Sequence, residues 1–193
     1  MNKRTVALTM EQYEKIIKTM MSGFVDEDQN IVKPNRRIAT ALILEANLGV
    51  RIGDILKLRL SDIIRDGDRY RLDIIEEKSG KKRVYSAIGN LRIHTKPFYA
   101  LESNIRTTAK LFEISERAVN KHLQKVCKYL NLEGIGSHSF RKFFATTIYN
   151  NNRHNINLVR VLLQHSSIAT TQRYIGIQSE EIEEALQNHI YLI

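Results

Sequence analysis

The fold of this 193-residue chain is decided by two stretches near its C-terminus, Gly136-Ser-His-Ser-Phe-Arg-Lys142 and Leu163-Gln-His-Ser-Ser-Ile-Ala-Thr-Thr-Gln-Arg-Tyr-Ile-Gly176. His138 and Arg141 are spaced so that a helix would place them on one face, one turn apart, where both could act on one chemical group. A second histidine and a tyrosine, Tyr174, follow in the second stretch. We hypothesise that the group is a DNA phosphate and that Tyr174 attacks it.

The charge of the chain supports a polyanionic partner. There are 30 Lys and Arg against 21 Asp and Glu, which gives a net charge of +9. A basic balance favours nucleic acid, although many solvated surfaces are also basic. Four glutamates lie together near the C-terminus, which leaves the middle of the chain more positive still: Glu180, Glu181, Glu183 and Glu184.

Composition also bounds the class of protein. Hydrophobic content of 42% with 26% charged residues is ordinary for a soluble globular domain. The sequence contains no run of 18 apolar residues and no signal-peptide pattern, so we expect no membrane partner. The single cysteine, Cys127, lies in a helical apolar pattern. It excludes an internal disulfide framework and favours a reduced core thiol in the cytoplasm.

Hydrophobic periodicity predicts a mainly α fold with a small antiparallel β-sheet, of the α+β class. Helices are predicted after an N-cap at Thr9, over 36–47, from about Gly53, across 98–132, around His138, over 158–164, around Tyr174 and over 180–193. Two strands, 70–75 and 83–88, are joined by a hairpin tip at 76–82. We expect a single domain over 1–193.

Arg51 lies at a predicted bend between two helices, where its side chain can be aimed at a target. Asp54 follows three residues later and could pair with Arg51 to fix its rotamer. An ordinary surface ion pair explains this stretch about equally well when it is considered alone.

Two basic surfaces are candidates for contact with DNA. The hairpin tip carries Lys78, Lys81 and Lys82, which are either solvated edge charges or groups that lie beside a phosphate. The helix after Ser115 has one polar face suited to a major groove or a phosphate backbone, although a solvated face is a strong alternative. That face consists of Arg117, Asn120, Lys121, Gln124, Lys125 and Lys128.

A tyrosine nucleophile imposes chemical requirements that these residues can meet. A phenol has a pKa of about 10, so it needs a base or a strong field to react at neutral pH. The transition state of phosphodiester cleavage adds charge to the equatorial oxygens, which two arginines stabilise well. A lysine or histidine must then protonate the departing oxygen. No set of acidic residues stands out as a site for paired metal ions, so we expect neither metal nor cofactor.

Taken together, the motifs resemble the catalytic domain of the tyrosine recombinase (phage integrase) family. They are Gly49-Val-Arg51-Ile-Gly-Asp54-Ile-Leu, the Lys78-Ser-Gly hairpin, His138-x-x-Arg141 and Leu163-x-His165 followed by Tyr174. They occur in the family's order and spread over almost the whole chain. Each motif is common by chance, whereas the set is highly specific.

The resemblance implies a role for each matching residue. Arg51 and Arg141 would bind the scissile phosphate, and Lys78 would protonate the leaving 5′ hydroxyl. His138 would assist proton transfer from Tyr174, which would form a 3′-phosphotyrosyl intermediate. His165 would donate to a non-bridging oxygen, and Asp54 would support the site from behind the phosphate-binding groups. Among the three lysines of the hairpin tip, Lys78 is the best match.

The sequence departs from the family pattern in a few places. Gln164 stands where the family usually has glycine, so we expect a local change in that turn. Phe140 and Lys142 replace the usual leucine and histidine around Arg141. The family usually has an N-terminal DNA-clamping domain, which we expect to be absent from this chain, so we expect either an isolated fragment or one of the shorter single-domain relatives.

The resemblance implies site-specific DNA cutting and rejoining on double-stranded DNA. We expect a homotetramer on DNA, assembled through the last predicted helix, and a monomer when free; packing of that helix in cis is the alternative. Relaxation of supercoils, as by a type IB topoisomerase, uses the same chemistry. A non-catalytic DNA-binding regulator is a further alternative, but it would have no use for a phenol opposite two arginines.

Overall fold

The computed structural model describes residues 5–66, 69–76, 80, 82–86 and 109–176. Its elements, in chain order, are α1 (Met10–Ser22), β1 (Phe24–Val25), β2 (Ile31–Val32), α2 (Arg36–Leu48), α3 (Ile52–Leu56), a 3-10 turn (Leu60–Asp62), β3 (Ile63–Asp66), β4 (Arg69–Ile75), β5 (Lys82–Ser86), α4 (Glu116–Tyr129), α5 (Ser137–Asn151), α6 (Ile156–Leu163) and α7 (Ile168–Ile175). The predicted class, mainly α with small antiparallel sheets, is confirmed.

Local capping chemistry fixes where several helices begin. Thr9 caps α1 through a reciprocal pair of hydrogen bonds with Gln12, at 3.0 and 3.1 Å. Asn35, Ser115 and Ser167 each accept a backbone N–H at the start of α2, α4 and α7. These side chains satisfy backbone donors that have no partner inside the helix, and for that reason the sequence alone could place the starts.

Helix α2 is the central element of the core. It packs against α1, α3 and α5, and nine of its 13 residues are buried. The helix ends at Gly49, whose φ of +60° lies in the left-handed region. A Cβ at this position would be 2.3 Å from Cδ1 of Phe144 on α5. Glycine is therefore required both by the backbone conformation and by the close approach of α5.

The three-stranded sheet has the order β3-β4-β5, and both of its pairs are antiparallel. On β4, Leu72 and Ile74 are buried while Arg71 and Asp73 are on the other face, which is the alternation of a half-buried strand. Strand β3 was not predicted from the sequence. A second, two-stranded hairpin, β1-β2, lies between α1 and α2, where no strand was predicted either.

The helix predicted over 98–132 is wrong where the structure describes its N-terminal part. Residues 109–115 are not helical, and two hydrogen bonds tie them to the segment after α3. Leu60 N–H donates to the Ala109 carbonyl, and Leu111 N–H donates to the Leu58 carbonyl, both at 2.9 Å. The apolar residues here meet the core in an extended form, so their spacing mimicked a helix. Residues 98–108 lie outside the described part.

A smaller cluster joins α5, α6 and α7, with Tyr174 of α7 packed against it. Phe144, Tyr149, Val159 and Leu163 are among its buried members. This cluster packs the stretch Leu163–Gly176 against α5, which contains most of the stretch Gly136–Lys142. The predicted helix over 180–193 lies outside the described residues. Within the described ranges, no helix is long and apolar enough to cross a membrane.

Candidate active site

His138 and Arg141 lie one turn apart on α5, as predicted. The loop that leads into this helix is anchored to α4. The Gln124 side-chain amide donates to the Ile135 carbonyl at 2.8 Å, and the Asn120 side-chain oxygen accepts from Ser137 N–H at 3.4 Å. Asn120 and Gln124, predicted as DNA contacts, therefore bind the protein's own backbone and position the start of α5.

Arg141 is the deeper of the two predicted arginines. Only 1% of it is exposed, and its Nη2 donates to the Leu163 carbonyl at 3.0 Å. Leu163 is the last residue of α6, and backbone carbonyls at the end of a helix lack partners within the helix. The bond links α5 to α6 and holds the guanidinium against the second motif, so that its orientation is set before any substrate binds.

Arg51 lies at the bend between α2 and α3, with the extended ψ of 145° expected at a helix N-cap. Its Nη1 is 2.8 Å from Oε2 of Glu76, a side chain with 0% exposure that follows β4. Asp54, predicted as a partner of Arg51, donates its backbone N–H to the Arg51 carbonyl at 3.0 Å, and pairing through its carboxylate stays a prediction. Glu76 supplies a buried carboxylate that pairs with Arg51. Sequence spacing gave no signal for Glu76 because its contact with Arg51 is long-range.

His165 follows α6 and is fixed on two sides. Its backbone N–H donates to the Arg160 carbonyl at 3.0 Å, and its Nδ1 is 3.1 Å from Oγ1 of Thr171 on α7. The preceding Gln164 has a φ of +56° and a ψ of +35°, the left-handed conformation that glycine adopts most easily. The α6 helix therefore ends in a left-handed turn even though this position carries a side chain.

Tyr174 lies between the two histidines. Its ring centroid is 6.1 Å from that of His138 and 5.2 Å from that of His165, in both cases with the rings nearly perpendicular. Lys142 Nζ lies 5.5 Å from the ring centroid and also donates to the Thr5 carbonyl at 2.6 Å. The structure thus brings the predicted nucleophile and both predicted histidines together.

The tyrosine hydroxyl is buried, and this dominates its acidity. Burial raises the pKa of Tyr174 from 10.0 to about 12. The charge of Arg141 and its hydrogen bonding lower the pKa, Glu45 raises it, and Arg51 lowers it. Both predicted arginines therefore act electrostatically on the hydroxyl that is predicted to react, and a third group, Glu45, acts against them.

Glu45 was not identified from the sequence. It lies on α2 with 0% exposure, surrounded in the sequence by apolar residues of the buried helix face. Burial raises its pKa well above the ordinary value, whereas the Arg141 charge and the Ile52 N–H lower it and Glu116 raises it further. A charged residue inside an otherwise apolar helix face is the signal that could have found it.

The remaining predicted residues either are exposed to solvent or lie outside the described residues. Lys78 and Lys81 lie outside the described residues, so the predicted general acid stays a prediction. Lys82 pairs with Asp73 at 2.8 Å. The charged residues of the α4 polar face are exposed, as predicted: Arg117, Lys121, Lys125 and Lys128. Of these, Lys128 pairs with Glu27 at 3.2 Å.

The buried Tyr174 hydroxyl thus lies where two histidine rings pack against the tyrosine and the charges of two arginines lower its pKa. The chain belongs to the Phage integrase family, whose sequence model matches residues 6–181. The resemblance inferred from the four motifs, to a tyrosine recombinase catalytic domain, is confirmed.

Individual relatives agree with this assignment. The chain is 24% identical over 196 residues to tyrosine recombinase XerC of Caldanaerobacter subterraneus subsp. tengcongensis, which covers 97% of this chain and 52% of the relative. It is 29% identical over 164 residues to the probable integrase/recombinase YoeC of Bacillus subtilis, covering 81% of this chain and 87% of the relative.

A solved structure shares the fold. The XerH site-specific recombinase bound to palindromic difH substrate, in a post-cleavage complex, matches with a TM-score of 0.67 and 22% identity. The match covers 96% of this chain and 53% of that chain. This chain therefore spans about half the length of the XerC and XerH proteins that it matches.

Proposed function

We propose that this chain is the catalytic part of a site-specific DNA recombinase or integrase, which cuts and rejoins DNA through a 3′-phosphotyrosyl intermediate on Tyr174. One observation carries the proposal: the Tyr174 hydroxyl is buried where both arginines influence it and both histidine rings contact its ring. Membership of the Phage integrase family and similarity to site-specific recombinases support the same conclusion.

Arg51 and Arg141 bind the scissile phosphate in this proposal. The protein orients both side chains, because Arg51 donates to Glu76 and Arg141 donates to the Leu163 carbonyl. A guanidinium has five N–H donors, so further donors can meet the phosphate oxygens while the bonded nitrogen fixes the plane. Preorganised cations of this kind stabilise the charge that develops on the equatorial oxygens.

The proton of Tyr174 must leave as the phosphorus is attacked. With a pKa of about 12, only about one tyrosine in 10⁵ is ionised at pH 7 before DNA binds. A free phenolate is therefore too rare to be the resting nucleophile. His138, exposed and next to the ring, accepts the proton while the Oη–P bond forms and the P–O5′ bond breaks. Lys78 supplies the proton to the leaving oxygen.

DNA is the proposed substrate, and the exposed cations of α4 its proposed contact. Arg117, Lys121 and Lys125 are on a helix whose other polar residues anchor the loop before His138. The net charge of +9 favours a polyanion. We further propose a homotetramer on DNA, joined through the C-terminal segment 180–193, which acts in the cytoplasm.

A suicide DNA substrate tests the proposal. A nicked duplex that loses the short fragment carrying the free 5′ hydroxyl after cleavage traps the covalent intermediate, which migrates as a protein–DNA adduct in a denaturing gel. Wild type should form the adduct, and Tyr174→Phe, which removes only the hydroxyl, should form none. Tyr149→Phe is the matched control and should retain the adduct. An adduct that persists in Tyr174→Phe would refute the assignment of the nucleophile.

A further inference from the structure

His165 and Thr171 make a contact whose hydrogen positions can be assigned from the acceptors around it. Thr171 has 0% exposure, and its Oγ1 lies 3.1 Å from His165 Nδ1. The same Oγ1 lies 3.3 Å from the Ser167 carbonyl, one turn earlier on α7. A carbonyl oxygen can only accept a hydrogen bond, so the hydroxyl hydrogen of Thr171 is directed to Ser167.

This direction determines which partner donates in the contact with His165. A hydroxyl has one hydrogen, and once Ser167 accepts it, the oxygen offers only lone pairs to the imidazole. Nδ1 of His165 must then carry a proton and donate it to Thr171. The hydrogen bond at one ring nitrogen sets the protonation of the other, so the neutral ring has its lone pair on Nε2.

We propose that Thr171 is a positioning residue that holds His165 in the tautomer protonated at Nδ1, so that His165 can donate to a phosphate oxygen only as imidazolium. The inference rests on the proposed function for its catalytic consequence, whereas the tautomer itself does not depend on it. Nδ1 is engaged by Thr171, so a phosphate oxygen would have to meet Nε2. Neutral Nε2 would present a lone pair to an anionic oxygen and repel it.

This assignment gives His165 a pH-dependent role. As imidazolium, His165 carries protons on both nitrogens and can donate from Nε2 to the phosphate. As the neutral ring, it keeps the proton on Nδ1 that Thr171 accepts, and the donor at Nε2 is lost. Cleavage should therefore fall, by up to roughly tenfold per pH unit, as rising pH removes the imidazolium.

Replacing Thr171 separates this role from simple packing. Thr171→Val keeps the branched shape but removes the acceptor that favours a proton on Nδ1. The neutral ring can then carry its proton on Nε2 and donate to the phosphate without being charged. Thr171→Ser keeps the hydroxyl and should behave as wild type. Thr170→Val is the matched control, because the Thr170 hydroxyl meets Ser167 Oγ at 2.9 Å instead.

The tautomer is read directly by ¹⁵N NMR of His165 in the DNA-free protein at a pH where the ring is neutral. Wild type, Thr171→Ser and Thr170→Val should show the proton on Nδ1, and Thr171→Val should shift it to Nε2. A wild-type ring protonated at Nε2 would overturn the proposal, and so would an unchanged tautomer in Thr171→Val. The wild-type spectrum decides the tautomer even if the valine variant fails to fold.

Single-turnover cleavage of the suicide substrate across the alkaline range tests the catalytic consequence. Thr171→Val should lose less rate per pH unit than wild type, whatever its absolute rate. A uniformly lower rate with the wild-type pH profile would show that Thr171 only packs, and would overturn the proposal. Complete absence of an adduct in wild type would instead count against the proposed function, while the NMR result would still decide the Thr171 assignment.

Discussion

The ion pair between Arg51 and Glu76 gives the sharpest test of how the site is held together. Glu76→Gln removes the charge of a fully buried carboxylate while keeping an oxygen that can accept from Arg51 Nη1, now 2.8 Å from Glu76 Oε2. We expect the variant to be less stable and slower in cleavage. We expect it to bind DNA at least as well as wild type, because the change makes the protein more positive.

The size of the effect follows from the burial of the two partners. Removing one member of a fully buried pair costs about 3–5 kcal/mol. Arg51 is 29% exposed, so water can solvate part of the charge left behind. The amide oxygen also keeps one hydrogen bond. We therefore expect a loss of about 1–3 kcal/mol, which lowers the Tm by roughly 3–10 °C for a domain of this size.

Loss of orientation should affect the chemical step more than binding. Arg51 without its charged partner samples more rotamers, and a misplacement of about 1 Å can cost a hundredfold in rate. Thermal unfolding measures the first effect, and single-turnover adduct formation at saturating DNA measures the second. Glu11→Gln is the matched control, since it makes the same chemical change in an exposed pair with Lys15 and should leave both the Tm and the rate unchanged.

Two results would refute this reasoning. If Glu76→Gln melted and cleaved like wild type, the ion pair would contribute nothing to the position of Arg51. If DNA binding and cleavage fell together by the same factor, Glu76 would act on affinity for DNA, and the proposed orienting role would be wrong.

Two further changes probe the core behind the site. Burial raises the pKa of Glu45, so the folded state favours the neutral carboxyl. The stability that this neutral form provides is complete below about pH 4.3 and is lost as pH rises toward the folded pKa. The loss is about 1.4 kcal/mol for each pH unit between the unfolded and folded pKa values. Glu45→Gln stays neutral, so urea unfolding should show stability near wild type at pH 4 and a gain at pH 7; a gain independent of pH would contradict the assignment. Gly49→Ala should lower the free energy of unfolding by about 2–4 kcal/mol, because alanine at a positive φ meets the Phe144 ring. An unchanged Tm for this variant would show that α2 and α5 can move apart enough to fit the methyl group without loss of stability.

The local part of the structure could be predicted from the sequence. Thr9, Ser115 and Ser167 cap helices through bonds to residues three positions away, so a short window contains both partners. The identities of Tyr174 and its neighbours were predicted as a set, because their order along the chain is specific even though each residue is common.

The interactions that position the site could not be predicted in this way. Arg51 and Glu76 are 25 residues apart, and Arg141 and the Leu163 carbonyl are 22 apart. Neither helical nor strand periodicity relates residues at such distances, so the sequence offered no reason to pair Glu76 with Arg51. The prediction of a helix over 109–115 failed for a related reason, since this segment forms hydrogen bonds with residues 58 and 60.

The sequence by itself determined which side chains we propose for contact with a phosphate: two arginines, two histidines and a tyrosine, in a recognisable order. Only the tertiary structure decided how they are held. Packing of α2 against α5 buries Glu45, and the turn after α6 brings His165 onto Thr171. The physical reason is that burial and hydrogen-bond direction, which set pKa and tautomer, depend on neighbours that the chain supplies from distant positions.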